Sequence, residues 1–314
     1  MIRFDLGKYI NYVKNELDFI IEDQYIEKDF LLSLFLSTWQ NLQEKGEVKS
    51  LGNLIFKGGT LLIRNYLTYP RISEDLDFTH KNCNEIRKMS QNRRIKTIRT
   101  FIIPILKDIK KICDSCGFDF RTNRDDTTYI TAYNHKSVYS LSIYRTSEIT
   151  NLPIKIKIEI NFVEHLQYTT KMQLIQHIVN KNAVLSSLGY DLVAPRLSCY
   201  TIKELALEKY RAILTREKLK ERDIFDLYLI DKRQKDVLKI DNRLIFKKIV
   251  ISFLISQSSQ GNLANNCKKL DEGFFGVSDD DIKRLTLIEI DDKDYEEFKN
   301  RLFDKLKDIC NIRI

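Results

Sequence analysis

Residues 56–78 read FKGGTLLIRNYLTYPRISEDLDF. Two adjacent glycines, Gly58 and Gly59, stand here in a chain of 314 residues that has only 10. They separate a strand-like run, NLIFK (53–57), from a helix-like run, TLLIRNYL (60–67). Strand, Gly-Gly-Thr, helix sets backbone N–H groups and the Thr60 hydroxyl at a helix start, where orphan donors and the helix dipole favour a phosphate. The GxxxxGK[ST] spacing of a P-loop is absent. Taken alone, a Gly-Gly pair is better explained as an ordinary turn. DLDFT (75–79) then alternates acid and apolar residues, a strand pattern that points Asp75 and Asp77 to one face. Two carboxylates at that spacing repel unless a cation sits by them. Mg²⁺ suits such a place, because it takes carboxylate oxygens together with phosphates and water. The plain alternative is two acids on a solvated face near Arg64 or Arg71.

Further along, PIKIKIEINF (153–162) is the cleanest alternation in the chain. Ile154, Ile156, Ile158 and Ile160 point one way, and Lys155, Lys157, Glu159 and Asn161 the other. Glu159 is thus a candidate third carboxylate. Three acids on neighbouring strands beside a phosphate loop form a two-metal nucleotidyl-transfer site, in which Glu159 completes the second metal or takes the proton of the attacking hydroxyl. A salt bridge from Glu159 to a lysine explains it equally well. Lys209 falls inside the apolar stripe of Ile202, Leu205, Ala206 and Ile213, so it must snorkel or meet an anion. Asp223 and Asp226 lie one turn apart on the next helix. Lys209 either clamps two helices through Asp226 or serves a phosphate.

The remaining periodicities place these motifs. IEKDFLLSLFLSTWQNLQEKG, from Ile26 to Gly46, has helical spacing. A basic helical segment runs from about Asn84 to Cys116 and carries Arg93, Arg94, Lys96 and Arg99, either on a solvated face or against a nucleic-acid backbone. GFDFR, TTYITAY and SVYSLSIYR alternate like antiparallel strands. From about Ala194 the pattern turns helical: Thr201 and Glu204 have capping-box spacing. RDIFDLYLID, RLIFKKIVISFLI and DYEEFKNRLFDKLKDICNI follow as further helices. The fold class expected is α+β, a mixed sheet flanked by helices and followed by a helical C-terminal half. The domains expected are 1–185 and 186–314.

Composition bounds the partners. Hydrophobic residues at 43% and charged residues at 31% describe a globular chain, and a net charge of +8 favours a polyanionic partner. MIRFDLGKYI has no apolar signal region, and IVISFLI (249–255) is too short to span a bilayer. A cytoplasmic protein with no membrane partner is expected, and with it six cysteines as free thiols. Cys113 and Cys116 form a lone CxxC without a second pair, which does not build a zinc site. The four histidines, at 80, 135, 165 and 177, have no ligand-like spacing, and no hydrolytic triad has support.

Together, IEKDF, FKGGTLLIRNYL, RISEDLDF, IKIEINF and ELALEKYRAIL…RDIFDLYLI occur in the order seen in the AbiEii/AbiGii family of nucleotidyltransferase toxins, which the chain resembles over roughly residues 20–235. The resemblance implies a polymerase-beta-like nucleotidyltransferase sheet, NTP as substrate, and Mg²⁺ or Mn²⁺ as cofactor. It implies a role in bacterial toxin–antitoxin or abortive-infection phage defence, a cognate antitoxin encoded nearby, and RNA, tRNA in particular, as acceptor. Carried across, Asp75 and Asp77 hold metal, with Glu159 as the variable third ligand. Gly58, Gly59 and Thr60 form the triphosphate loop. The family lysine falls on Lys209 and the late aspartate on Asp226, with Asp223 beside it as a nucleotide-binding candidate. A protein hydroxyl as acceptor, or a nucleotide- or RNA-binding module without catalysis, are the alternative readings.

Overall fold

A computed structural model describes residues 6–16, 21–179, 182–253, 256, 258–272 and 286–312. The opening residues 1–5 and the end of the expected helix at 254–255 lie outside that set. The chain forms two units, one of Met1–Glu164 with Thr170–Cys199 and one of His165–Thr169 with Tyr200–Ile314.

Unit 1 holds seven strands: β1 (Leu54–Lys57), β2 (Asp75–His80), β3 (Ile130–Tyr133), β4 (Val138–Thr146), β5 (Pro153–Asn161), β6 (Lys171–Leu174) and β7 (Arg196–Cys199). Their order is β3-β4-β5-β2-β1-β7-β6. β2 runs antiparallel to β1 and parallel to β5, and β7 runs parallel to β1. The sheet is therefore mixed, and it extends past residue 185 because β7 pairs with β1. The Ile alternation of β5 behaves as its pattern dictates: Ile156, Ile158 and Ile160 are buried. On the same apolar face Phe56 meets Phe78 at 5.1 Å. Two long helices cover that face, α2 (Asp23–Glu44) through Trp39 on Phe78 and α5 (Gln91–Cys116) through Phe101 on His80. Shorter helices are α1 (Leu6–Glu16), α3 (Gly58–Leu61, continuing as a π-helical turn to Tyr66), α4 (Cys83–Arg87) and α6 (Asn182–Ser187).

One expected strand does not form. In GFDFR only Asp119 bridges to Tyr144, because Gly117 ends α5 with φ +79° and the polar run after Phe120 offers no further alternation.

Unit 2 is helical: α7 (Ile202–Thr215), α8 (Glu221–Gln234), α9 (Asn242–Phe253), α10 (Ser258–Asp271) and α11 (Asp292–Cys310). Thr201 caps α7 by accepting from the Glu204 amide. Glu204 does not complete a capping box. Its buried carboxylate accepts from the amides of Gln167 and Tyr168 (3.0 and 2.7 Å) and pairs with the buried Lys248. This ties His165–Thr169 into unit 2. The expectation of six free thiols is corrected here. Neighbouring α10 and α11 bring the Cα atoms of Cys267 and Cys310 to 5.9 Å, and the two form a disulfide; Cys83, Cys113, Cys116 and Cys199 are buried thiols outside it.

Candidate active site

The glycine turn and the acid strand are built against each other. Gly58 has φ +80°, and a Cβ placed on it would lie 2.1 Å from Asp77 Oδ2. Glycine is required for both backbone and space. A Cβ on Gly59 would meet Ser73 Oγ at 3.0 Å and Arg71 Nη2 at 3.2 Å, so these two side chains line the same turn. Thr60 is buried. Its hydroxyl donates to the Asp75 carbonyl (2.5 Å) and lies 3.0 Å from Ser73 Oγ. It fastens the turn to β2 rather than facing outward.

The strand register then sets a row across the polar face of the sheet. Lys57 stands opposite Asp77, Asp77 opposite Glu159, and Glu159 opposite Ser140. One step along, Asp75 stands opposite Lys157 and Lys157 opposite Ser142. Gly58, Gly59, Thr60, Asp75, Asp77 and Glu159 are thereby brought together in unit 1. Burial, and next the Glu159 charge, push the Asp77 carboxyl up to about 6 against the pull of Lys57. Glu159 is held low instead. Burial works against its charge, but Lys157 at 2.9 Å and the Tyr133 hydroxyl at 3.2 Å outweigh it.

Sequence reasoning missed several supports. Lys57, the one charge in the apolar strand LIFK, pairs with the buried Glu164 at 3.0 Å. Each acid or base of IEKDF holds a different segment. Glu27 accepts from Ser147 Oγ and the Glu148 amide (2.6 and 2.7 Å) in the β4–β5 turn. Lys28 pairs with Glu74 at 2.8 Å, the residue before Asp75. Asp29 pairs with Arg64 at 2.8 Å, in the helical run after the glycines. The signal for these was three charges inside an apolar helix; their partners were not readable.

In unit 2 Lys209 meets both Asp223 (2.8 Å) and Asp226 (2.5 Å), and Arg216 also pairs with Asp223. Both aspartates are fully buried. Burial alone would raise Asp223, yet Lys209 and Arg216 hold it down at about 2.

A divalent cation fits the acid row on its donor chemistry. Asp75 and Asp77 offer carboxylates on one face, the second raised by burial and then by the Glu159 charge. Among the described residues no three His, Cys, Asp or Glu side chains converge as a ready-made cage. A divalent ion held by one or two carboxylates and substrate phosphates needs no such cage. Lys157 and the Tyr133 hydroxyl both contact Oε2 of Glu159, the expected third ligand. Burial pushes the Cys116 thiol up to about 12, so the CxxC is inert. No helix among the described residues is long and apolar enough to cross a membrane.

Comparison with known proteins bears on the fold and the family. MenT4, a nucleotidyltransferase toxin (Rv2826c) from Mycobacterium tuberculosis H37Rv, has a similar structure with a TM-score of 0.57 and 17% identity, over 96% of this chain and 89% of that one. JHP933 from Helicobacter pylori has a TM-score of 0.47 and 15% identity, over 93% and 92%. At these identities the likeness concerns the fold. No curated protein matches the sequence. The family described as nucleotidyl transferase AbiEii toxin, type IV TA system, matches residues 44–311, which take in the glycine turn, the acid strands and the Lys209 helix pair. A mixed nucleotidyltransferase sheet with acids against a glycine turn, and a family match from the end of α2 into the last helix, make this chain a nucleotidyltransferase of the AbiEii toxin family of type IV toxin–antitoxin systems.

Proposed function

We propose that the acid row of unit 1 transfers a nucleoside monophosphate from an NTP to the 3′-hydroxyl of an RNA, with tRNA as the acceptor. The physiological setting is growth arrest in abortive infection and phage defence, relieved by an antitoxin encoded nearby. The observation that carries the reading is the Asp77 carboxyl, pressed against Gly58 and raised to about 6 beside Glu159. A buried acid left this way by its own chain is stabilised by a cation.

Asp75 and Asp77 would hold Mg²⁺ or Mn²⁺. When bound, that ion supplies positive charge to the triphosphate oxygens and to the charge that develops at phosphorus. Gly58 and Gly59 let Asp77, Ser73 and Arg71 lie against the turn, whose backbone N–H groups would take the phosphate, while Thr60 keeps the turn against β2. The RNA 3′-oxygen bonds to the α-phosphorus, the bond to the bridging oxygen breaks, pyrophosphate leaves and the hydroxyl proton passes to water. Glu159, held low by Lys157, is suited to holding negative charge rather than taking a proton. For Lys209, Asp223 and Asp226 two roles stand: a clamp within unit 2, and the phosphate contact that family membership suggests for the lysine. NTP affinity of a Lys209→Arg protein that keeps its melting temperature separates them.

The test is incubation of the full chain with each α-labelled NTP, Mg²⁺ and total RNA or lysate. Label in tRNA that is absent with Asp77→Ala supports the reading. Label in protein overturns the RNA acceptor, and no label with any NTP overturns the transfer reaction.

A further inference from the structure

The acid row is flanked differently on its two sides. On one side lies the glycine turn, which follows β1 and presses on Asp77 of β2. On the other lie β5, β4 and the edge strand β3, in that order from β2. The register carries the polar face outward: Glu159 stands opposite Ser140, and Ser140 opposite Thr131. Tyr133, two residues after Thr131, belongs to the same face. Its partner on β4 is Val138, and that of Val138 on β5 is Asn161. Tyr133 thus starts from the corner of the face diagonal to the glycine turn, with Asp77 and Glu159 between them.

Tyr133 is half-buried, and its hydroxyl donates to Glu159 Oε2 at 3.2 Å. Neighbouring strands lie about 4.8 Å apart, so a side chain from β3 reaches one from β5 only by lying along the sheet across β4. Ser140 is small and leaves that path open. A ring laid on a sheet buries one face and exposes the other, in keeping with its half-buried state. The turn after it holds Asn134, His135 and Lys136 at φ 51, 55 and 61°, the left-handed region that residues other than glycine rarely occupy. Backbone strain of this kind gathers at ligand sites.

In-line transfer gives the two sides of the row different tasks. The attacking and leaving oxygens stand on opposite sides of the phosphorus. With the triphosphate on the glycine turn, pyrophosphate leaves towards β1, and the attacking 3′-hydroxyl enters from the side of β5, β4 and β3. The nucleoside that carries this hydroxyl brings its base to that side. An aromatic face there suits any base, because every base has a π-face of its own.

We propose that Tyr133 is the platform on which the 3′-terminal base of the acceptor stacks; this rests on the acceptor being RNA. The bond to Glu159 fixes the pose of the ring, and the stack sets the 3′-hydroxyl against the acid row.

The test measures KM for NTP and for acceptor separately, on tRNA and on the same tRNA with an abasic ribose as its last nucleotide. It uses the full chain and its Tyr133→Phe and Tyr133→Leu variants. Expected for Tyr133→Leu is a tenfold or greater rise in KM for tRNA at unchanged KM for NTP, the size of one lost base–aromatic stack. Tyr133→Phe keeps the ring, so its KM for tRNA stays within about twofold of wild type while kcat registers the lost bond to Glu159. The abasic acceptor gives the wild-type chain the same rise without any substitution, and Tyr133→Leu adds nothing to it. Equal rises for the Phe and Leu variants overturn the platform, because the hydroxyl then carries the effect. A rise in KM for NTP alone overturns it too, since the stacked base is then that of the nucleotide. If wild type labels tRNA and takes the abasic acceptor equally well, the platform falls while the acceptor reading stands. Label in protein alone, or no label, removes that reading and the platform with it.

Discussion

Both units hold carboxylates in pairs, and they treat them in opposite ways. In unit 2 Asp223 and Asp226 share Lys209, Asp223 also meets Arg216, and its acid is held down at about 2. In unit 1 Asp77 faces Glu159 and is raised to about 6, with Lys57 as partial relief. The first set is answered by cations of its own chain. In the second, Lys157 answers Glu159 while burial and the neighbouring charge keep the Asp77 carboxyl raised, which suits the site proposed here to take a cation with its substrate. Carboxylates differ in meaning through their exposure and the sum of nearby charge: Asp223 and Asp226 are fully buried, Asp77 and Glu159 half-buried.

The comparison breaks most easily at Asp77. Asp77→Asn should lower nucleotidyl transfer by about a thousandfold, some 4 kcal/mol of lost transition-state stabilisation. The same change removes a like-charge contact, so folding should be unharmed. Trp39, the single tryptophan of the chain, packs on Phe78 at 5.3 Å and reports unit 1 directly. A clear drop in the Trp39 unfolding midpoint for this variant would show Asp77 to be structural after all.

Lys209→Met should do the reverse on unit 2. It leaves two buried aspartates without their shared cation, at a cost of roughly 3–5 kcal/mol. Helical circular dichroism through the thermal transition measures it. A wild-type melting curve would remove the clamp from the argument.

Acid sharpens the contrast. Burial, and then the Arg64 charge, push His177 in unit 1 down to about 4. Its folded value lies below the ordinary 6.5, so between those values the unfolded chain binds the proton and the folded one does not. Stability is full above about 6.5 and falls as pH drops towards 4, by about 3 kcal/mol. Asp223 carries the opposite sense. Its folded value of about 2 lies under the ordinary 3.8, so its contribution is intact above 3.8 and fades only as pH falls through 2. At pH 4.5 the Trp39 signal of unit 1 should therefore weaken, and His177→Asn should flatten that loss. An unchanged His177→Asn profile would refute the assignment.

What could be read from sequence was what local periodicity encodes. The β5 alternation assigned both faces correctly because one face is packed and period two leaves no freedom. The DLD strand and the glycine turn were visible for the same reason. Partner choice across long separations was not. Nothing local says that Gly58 must be glycine because of Asp77, that Lys57 reaches Glu164, or that Cys267 and Cys310 meet across 43 residues. GFDFR misled because its two phenylalanines are buried by a turn rather than by a ladder. Thr60 was read as a phosphate hydroxyl, and the bond to the Asp75 carbonyl became apparent only once β2 was placed.

The smallest expected effect concerns how the unanswered acids are held. Lys28 and Glu74 are partly exposed, so their pair is worth at most about 1 kcal/mol of stability. Glu74 directly precedes Asp75, however, and Lys28 anchors it from α2. Lys28→Glu should leave the Trp39 midpoint almost unmoved while lowering kcat roughly fivefold, the equivalent of about 1 kcal/mol at the transition state. The exchanged pair, Lys28→Glu with Glu74→Lys, should recover most of that loss, since the bridge is rebuilt with its ends reversed. If the exchange recovers nothing, the effect comes from the charge of Lys28 on the site rather than from its hold on the strand. The IEKDF motif would then belong with the electrostatics of the acid row and not with its scaffold.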